Sequence, residues 1–273
     1  MSTDSIRVSE LFRYPIKSCR GERLSLARVD DGGIQHDREM MLVDENARFL
    51  SQRTHPRMAL IEPHLSNDVL SVTAPGMPPV ALKVSDSVKP IQVFVWQDVC
   101  DAFDFGMVAA QWFSDFLGIH CRLVRMDPTF VRRVNPKYAI SVNNRTRFSD
   151  GFPLLLISQA SLDDLNARLT HPVPMNRFRP NIVVDGCKPF AEDHWRKIQI
   201  DGLVCHLVKP CVRCVITTTD QETAQRDSEP LQTLATFRNV QRQGVLFGQN
   251  AIHETRGILK SGQPVTVLDE WND

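Results

Sequence analysis

Short β-branched or alternating runs recur along this chain at residues 6–14, 24–29, 39–43, 69–73, 91–95, 181–184, 197–200, 203–208 and 215–219. Turn signals such as Asp31-Gly32-Gly33 and Asp44-Glu45-Asn46 divide them. Strands spaced this closely favour a mainly β fold with a few helices, built as barrels rather than as a parallel α/β sheet. Three segments read as helices. Residues 107–117 are apolar-rich and stop at Gly118; residues 161–169 carry Leu162, Leu165 and Leu169 at helical spacing; residues 229–237 have Pro230 in the first turn, where a missing N–H costs little. No internal repeat or low-complexity linker is present. The polar stretch 125–147, with Asn135-Pro136 and Asn143-Asn144, suits a boundary between two β-rich halves, 1–125 and 126–273.

Composition narrows the classes of function. A chain of 273 residues with 42% hydrophobic and 23% charged residues can bury a full core. Lys+Arg and Asp+Glu are equal at 32 each, so no general attraction to nucleic acid or anionic membrane is expected. The polar start Met1-Ser2-Thr3-Asp4-Ser5 lacks the features of a signal peptide, and no apolar run approaches a bilayer span. A cytoplasmic location is the expectation. Seven scattered cysteines in a reducing compartment read mostly as small core residues.

Cys211 and Cys214 form a CxxC with no cysteine after it. A closed zinc site and an iron–sulfur cluster each need four ligands of this kind, so neither is expected in this chain. A lone thiolate beside Arg213 better suits one bond to a metal that a cofactor already chelates. Four other segments carry possible chemistry. Tyr14-Pro15-Ile16-Lys17-Ser18-Cys19-Arg20-Gly21 ends a strand in a lysine, a hydroxyl and a glycine that together can hold a phosphate. His36-Asp37-Arg38 sits at a strand entrance. Asn176-Arg177-Phe178-Arg179-Pro180-Asn181 packs anion and amide donors ahead of a strand. Leu246-Phe247-Gly248-Gln249-Asn250 reads as a buried turn with amide side chains. Singly, each is explained as well by a solvated loop or ordinary packing. Jointly, they place Lys17, Arg38, Arg179 and the cysteine pair at the mouths of separate strands, where a β scaffold gathers a site from several loops.

The segments YPIKSCRG, HDR, FRPNIVV, KPCVRCVITTTD and FGQN, in this order, resemble the MOSC family of molybdenum cofactor proteins. The likeness includes the N-terminal β-barrel domain of its amidoxime-reducing members and covers nearly the whole chain. The resemblance implies an N-terminal barrel-like domain and a MOSC β-barrel packed around one site. It makes Cys214 the protein ligand to molybdenum in a molybdopterin cofactor. Lys17, Ser18, Arg38, Arg179 and Asn181 fall on pterin and phosphate contacts, with Arg213 beside the metal ligand to help keep its thiolate ionised. In Asp150-Gly151-Phe152-Pro153, Gly151 and Phe152 can offer only main-chain atoms, and Asp150 is a candidate proton donor.

The implied reaction is reduction of N-hydroxylated compounds, such as amidoximes and hydroxylamines, to the amidine or amine. With no GxGxxG fingerprint and too few cysteines for a cluster, electrons are expected from a separate flavoprotein, ferredoxin or cytochrome. A non-catalytic carrier of the cofactor or of sulfur is the alternative. A CxxC disulfide oxidoreductase is disfavoured because the pair does not open a helix in a βαβ context. No HExxH or GxSxG supports a hydrolase.

Overall fold

The structure is a computed structural model and describes residues 5–271. Its centre is a sheet in the order Glu22–Leu24, Arg7–Arg13, Ile182–Asp185, Leu154–Ser158, Gly244–His253, Leu203–Val212, Trp195–Ile200, Val265–Glu270. All neighbours are antiparallel except Leu154–Ser158 and Ile182–Asp185, which are parallel and joined by a crossover containing helix α2 (Gln159–Asn166). Backbone bonds Val8 N to Gln263 O (2.9 Å), Gly262 N to Val8 O (2.7 Å) and Val265 N to Ile6 O (2.8 Å) join the last strand back to Arg7–Arg13. Closure into a barrel removes free sheet edges. Alternation fills the interior with Val8, Leu11, Leu156, Ile182, Val184, Ile198, Leu207 and Ala251, all buried. The opposite faces of Ile157, Val183 and Phe247 pack with Leu162 and Leu165 of α2 and with Leu234 of α3 (Leu231–Phe237).

The first half builds a second layered unit. Strands Met40–Val43, Arg122–Met126, Asp98–Asp104 and Lys89–Val95 pair antiparallel, and a separate three-stranded sheet runs Glu62–Ser66, Val69–Thr73, Val80–Lys83. Helix α1 (Met107–Leu117) presents Ala109, Trp112, Phe113 and Phe116 to a core shared with Leu42, Leu70, Leu82 and Leu123. Gly118 ends α1 at φ 70°, a left-handed position where glycine carries no Cβ penalty. Strand Arg7–Arg13 belongs to the first half in sequence but lies in the barrel beside Ile182–Asp185, so the two halves share a sheet. No helix among the described residues is long and apolar enough to cross a membrane.

Two local expectations fail. Residues 215–219 form no strand; Val215–Thr218 is a 3₁₀ turn. Thr217 Oγ1 donates to the Cys214 carbonyl (3.0 Å) and Thr218 Oγ1 to that of Val215 (2.9 Å), a local satisfaction that overrides β-branched propensity. Leu246–Asn250 is a central strand of the barrel rather than a turn. The second helix starts earlier than expected because Ser158 Oγ caps it by accepting from Ser161 N. In the third, Pro230 occupies the N-cap and the helix starts at Leu231.

Candidate functional site

Between the two halves lies a cleft of about 470 Å³. The first half contributes Lys17, Ser18, Arg38 and Arg53; the second contributes the loop around Asp150, the Arg177–Asn181 segment, the end of the Leu203–Val212 strand and Cys214. Lys17, Ser18, Arg38, Asp150, Gly151, Phe152, Arg179, Asn181, Arg213 and Cys214 all line it. Seven of the lining side chains are basic and Asp150 is the one acid, so the cleft is built for an anion. Its loops are held in unusual backbone geometry. Ser18 (φ 66°), Arg38 (φ 47°) and Arg179 (φ 56°) are all left-handed, and non-glycine residues persist there only when surrounding bonds over-determine them. Arg38 N donates to Tyr14 O (2.7 Å), Arg38 O accepts from Phe148 N (2.9 Å), and Lys17 N donates to Met40 O (2.8 Å).

Lys17 is buried, and its Nζ lies 2.5 Å from Asp150 Oδ1. Burial pushes the Lys17 pKa down, against the attraction of Asp150. The Asp150 side chain is 55% exposed toward the open cleft, and Arg53 Nη2 meets its other oxygen at 3.1 Å. Crowding by protein raises the Asp150 pKa, but the Lys17 and Arg53 charges outweigh it and hold the carboxyl far below the usual range. The Asp150 carboxylate thus anchors two cations at the cleft wall. Arg132, itself buried, donates to the carbonyls of Arg147 (2.8 Å), Ser149 (2.5 Å) and Asp150 (3.3 Å) and so fixes this loop. An ideal Cβ on Gly151 meets nothing within 4 Å, which leaves its main chain open to the cleft.

A second cationic cluster surrounds Tyr14. The guanidinium carbons of Arg38 and Arg179 lie 4.1 and 4.3 Å from its ring centroid. Burial pushes the Tyr14 pKa up to about 12 and the Arg179 pKa down to about 10. Arg213 donates from Nε to Phe247 O (2.7 Å) and from Nη1 to Phe178 O (2.9 Å). Three buried guanidinium nitrogens, Arg177 Nε, Arg179 Nη2 and Arg213 Nη2, have no hydrogen-bond partner among the described residues. Asn181 differs. Its Oδ1 accepts from Arg38 (3.1 Å) and Leu155 N (3.2 Å) and its Nδ2 donates to Phe12 O (3.3 Å), so its amide orients Arg38 and clips two strands together.

Cys214 opens the 3₁₀ turn, and Cys211 lines the same cleft as a free thiol. Burial pushes the Cys211 thiol up. Burial lowers the Arg53 pKa, yet the charges and hydrogen bonds of Asp150 and Cys214 raise it overall. Arg53 also stacks on Trp96, 4.9 Å from the ring centroid. Nothing local in Ser51-Gln52-Arg53 marks this residue, because its partners come from the other half. Lys209, Arg177 and Asn250 also line the cleft; all three fall inside segments the sequence singled out, without individual assignment.

Comparison with known proteins agrees with this architecture. Residues 5–120 match the MOSC N-terminal beta barrel domain and residues 143–266 match the MOSC domain. The mouse mitochondrial amidoxime-reducing component 1 is 34% identical over 96% of this chain and 82% of its own length. The rat mitochondrial amidoxime reducing component 2 is 35% identical over 94% of this chain and 82% of its own length. The bovine molybdenum cofactor sulfurase is 29% identical over 90% of this chain but only 30% of its own length. The chain belongs to the MOSC family, with a MOSC N-terminal β-barrel domain followed by a MOSC domain.

Proposed function

We propose that this protein is a molybdenum cofactor-dependent reductase of N-hydroxylated compounds that receives electrons from a separate donor protein. The observation that carries the cofactor reading is the set of buried, unpartnered guanidinium N–H groups of Arg177, Arg179 and Arg213 in a cleft with seven basic residues. A buried donor without a partner costs about 1–3 kcal/mol, and a phosphate would satisfy several at once. The residues fit the group. Arg179, Arg213, Lys17 and Ser18 would hold phosphate and pterin, Asn181 would orient Arg38 toward them, and the main chain of Gly151 and Phe152 would supply further contacts, although the Phe152 carbonyl already accepts from Ser149 Oγ (2.7 Å). Cys214 would offer the soft thiolate that a sulfur-ligated molybdenum prefers.

When bound, the cofactor supplies two-electron transfer; the protein holds it, leaves room for the substrate and manages protons. Lys17 Nζ and the Asp150 carboxylate, 2.5 Å apart at the cleft wall, are the groups placed to pass a proton there. The reductase reading also draws on the names of the mouse and rat relatives, which align over most of their length. Its test is direct. Molybdenum analysis and pterin fluorescence of the purified protein should show the cofactor. Reduced viologen should then sustain turnover of benzamidoxime or a hydroxylamine, while NADH alone should not. Cofactor without turnover across several N-hydroxylated compounds would leave the carrier function, and protein expressed with ample molybdate yet lacking metal would end both.

A further inference from the structure

The three segments that bring Lys17, Arg53 and Cys214 to the cleft are loops or turns; the first two share an apolar core through Ile16, Cys19 and Leu50, but no residue of 214–221 joins that core to hold the Cys214 turn against them. A polar lock does so instead. Gln52 and Gln221 are 0% and 3% exposed, lie 169 residues apart, and bond each other in both directions. Gln52 Nε2 donates to Gln221 Oε1 (3.1 Å) and Gln221 Nε2 to Gln52 Oε1 (3.0 Å). Their remaining reach goes to the main chain of the site segments. Gln52 Nε2 also donates to Ser18 O (2.8 Å), next to Lys17, and Gln221 Nε2 to Thr219 O (3.0 Å), at the end of the Cys214 turn. Arg226 brackets the pair, donating to the carbonyls of Gln52 and Arg53 and to Thr219 Oγ1 (3.3 Å), and Arg20 donates to Gln221 O.

We infer that the buried Gln52–Gln221 amide pair is a positioning latch across the two halves, setting Arg53 against Asp150 and fixing the turn that carries Cys214. The physical case rests on saturation and adjacency. Each amide uses donor and acceptor together, so losing either strands its partner in a dry interior, which makes the pair act as a unit. Gln52 directly precedes Arg53, so a shift of its backbone moves the guanidinium that bridges Asp150 at 3.1 Å. Gln221 follows the Thr217 to Thr219 stretch, whose N–H groups close the 3₁₀ turn onto Cys214 O and Ile216 O. The latch stands independently of the proposed reaction; only its effect on turnover rests on that reading.

Gln52→Ala, Gln221→Ala and the double variant of the full chain test it, with Leu70→Ala in the remote first-half core as a control that lowers the melting temperature. Amide hydrogen exchange of the 214–221 segment should quicken about tenfold in Gln52→Ala, although the substitution is far away in sequence, and the double variant should go no further than either single one. The Lys89–Val95 and Asp98–Asp104 hairpin should be unchanged. Turnover per bound molybdenum with reduced viologen should fall about tenfold in the latch variants through kcat rather than KM, and stay at the wild-type value in Leu70→Ala. Unchanged exchange in 214–221, or single effects that add in the double variant, overturns the latch. Faster exchange with wild-type kcat per molybdenum overturns its role in positioning Arg53. A wild-type protein with no turnover refutes the proposed reaction, and the exchange measurements then decide the latch alone.

Discussion

Asp150→Asn is the sharpest perturbation of the cleft, because it removes one charge without changing shape and both cations that depend on it are known. Lys17 is buried and sits 2.5 Å from one carboxylate oxygen; Arg53 sits 3.1 Å from the other. Removing one partner of a fully buried pair costs about 3–5 kcal/mol, whereas an exposed pair contributes about 0–1 kcal/mol. With Lys17 buried but Asp150 55% exposed, the expected loss lies between, at about 1–3 kcal/mol. That corresponds to a melting temperature lower by about 2–5 °C for a chain of 273 residues. The pH dependence has a definite sign. Asp150 has a folded pKa depressed below the ordinary 3.8, so its contribution is present above about pH 4 and is lost as pH falls through the lower folded value. Thermal melts of the cofactor-free protein should therefore show the full wild-type advantage at pH 6–7 and a narrowing gap toward pH 3. Turnover separates anchoring from proton donation: an anchor lost should cost about tenfold or less, a general acid lost about 10²–10⁴-fold. A gap independent of pH, or a turnover loss in the larger range, refutes the anchoring assignment.

Three further outcomes follow from the same geometry. Cys214→Ser should abolish turnover while largely sparing pterin content, because the guanidinium contacts remain, whereas Cys211→Ser should be mild; equal and complete loss in both, read by metal analysis and viologen assay, would point to a dithiol mechanism. Arg179→Ala should lower cofactor affinity by roughly ten- to hundredfold, from about 1.5–3 kcal/mol for a charge-assisted contact, and affect turnover per bound molybdenum much less; unchanged occupancy would place the phosphate elsewhere. Gly248→Ala should destabilise the barrel by at least about 2 kcal/mol in a denaturant melt, since φ is 75° and the new Cβ would lie 2.6 Å from Ile157 Cγ1 and 2.9 Å from Leu156 O. A Gly248→Ala protein with wild-type stability would contradict the packing described here.

The sequence was legible where local rules and tertiary demands agree. Val69–Thr73 alternates exposed and buried residues as its apolar pattern requires, and Met107–Leu117 ends where Gly118 permits a left-handed cap. The mouths of strands could be read too, because Lys17, Arg38 and Arg179 stand in motifs dense enough in charge to be conspicuous before any contact is known. What stayed hidden depends on partners far away in the chain. Strand Arg7–Arg13 reads as part of the first half until its register with Ile182–Asp185 places it in the barrel. Arg53 looks like a solvated surface residue until Asp150 and Cys214, 97 and 161 positions later, are brought to it. Residues 215–219 mislead for the opposite reason: their β-branched side chains suit a strand, but the threonine hydroxyls bond back three residues and turn the chain into the cleft. Asn181 was legible as a polar group at a strand mouth but not in its duty, since only the folded chain shows both ends of its amide already occupied. The residues that chemistry alone can nominate are those meant for a ligand; the residues that hold them in place are chosen by the fold, and they surface only with the long-range contacts.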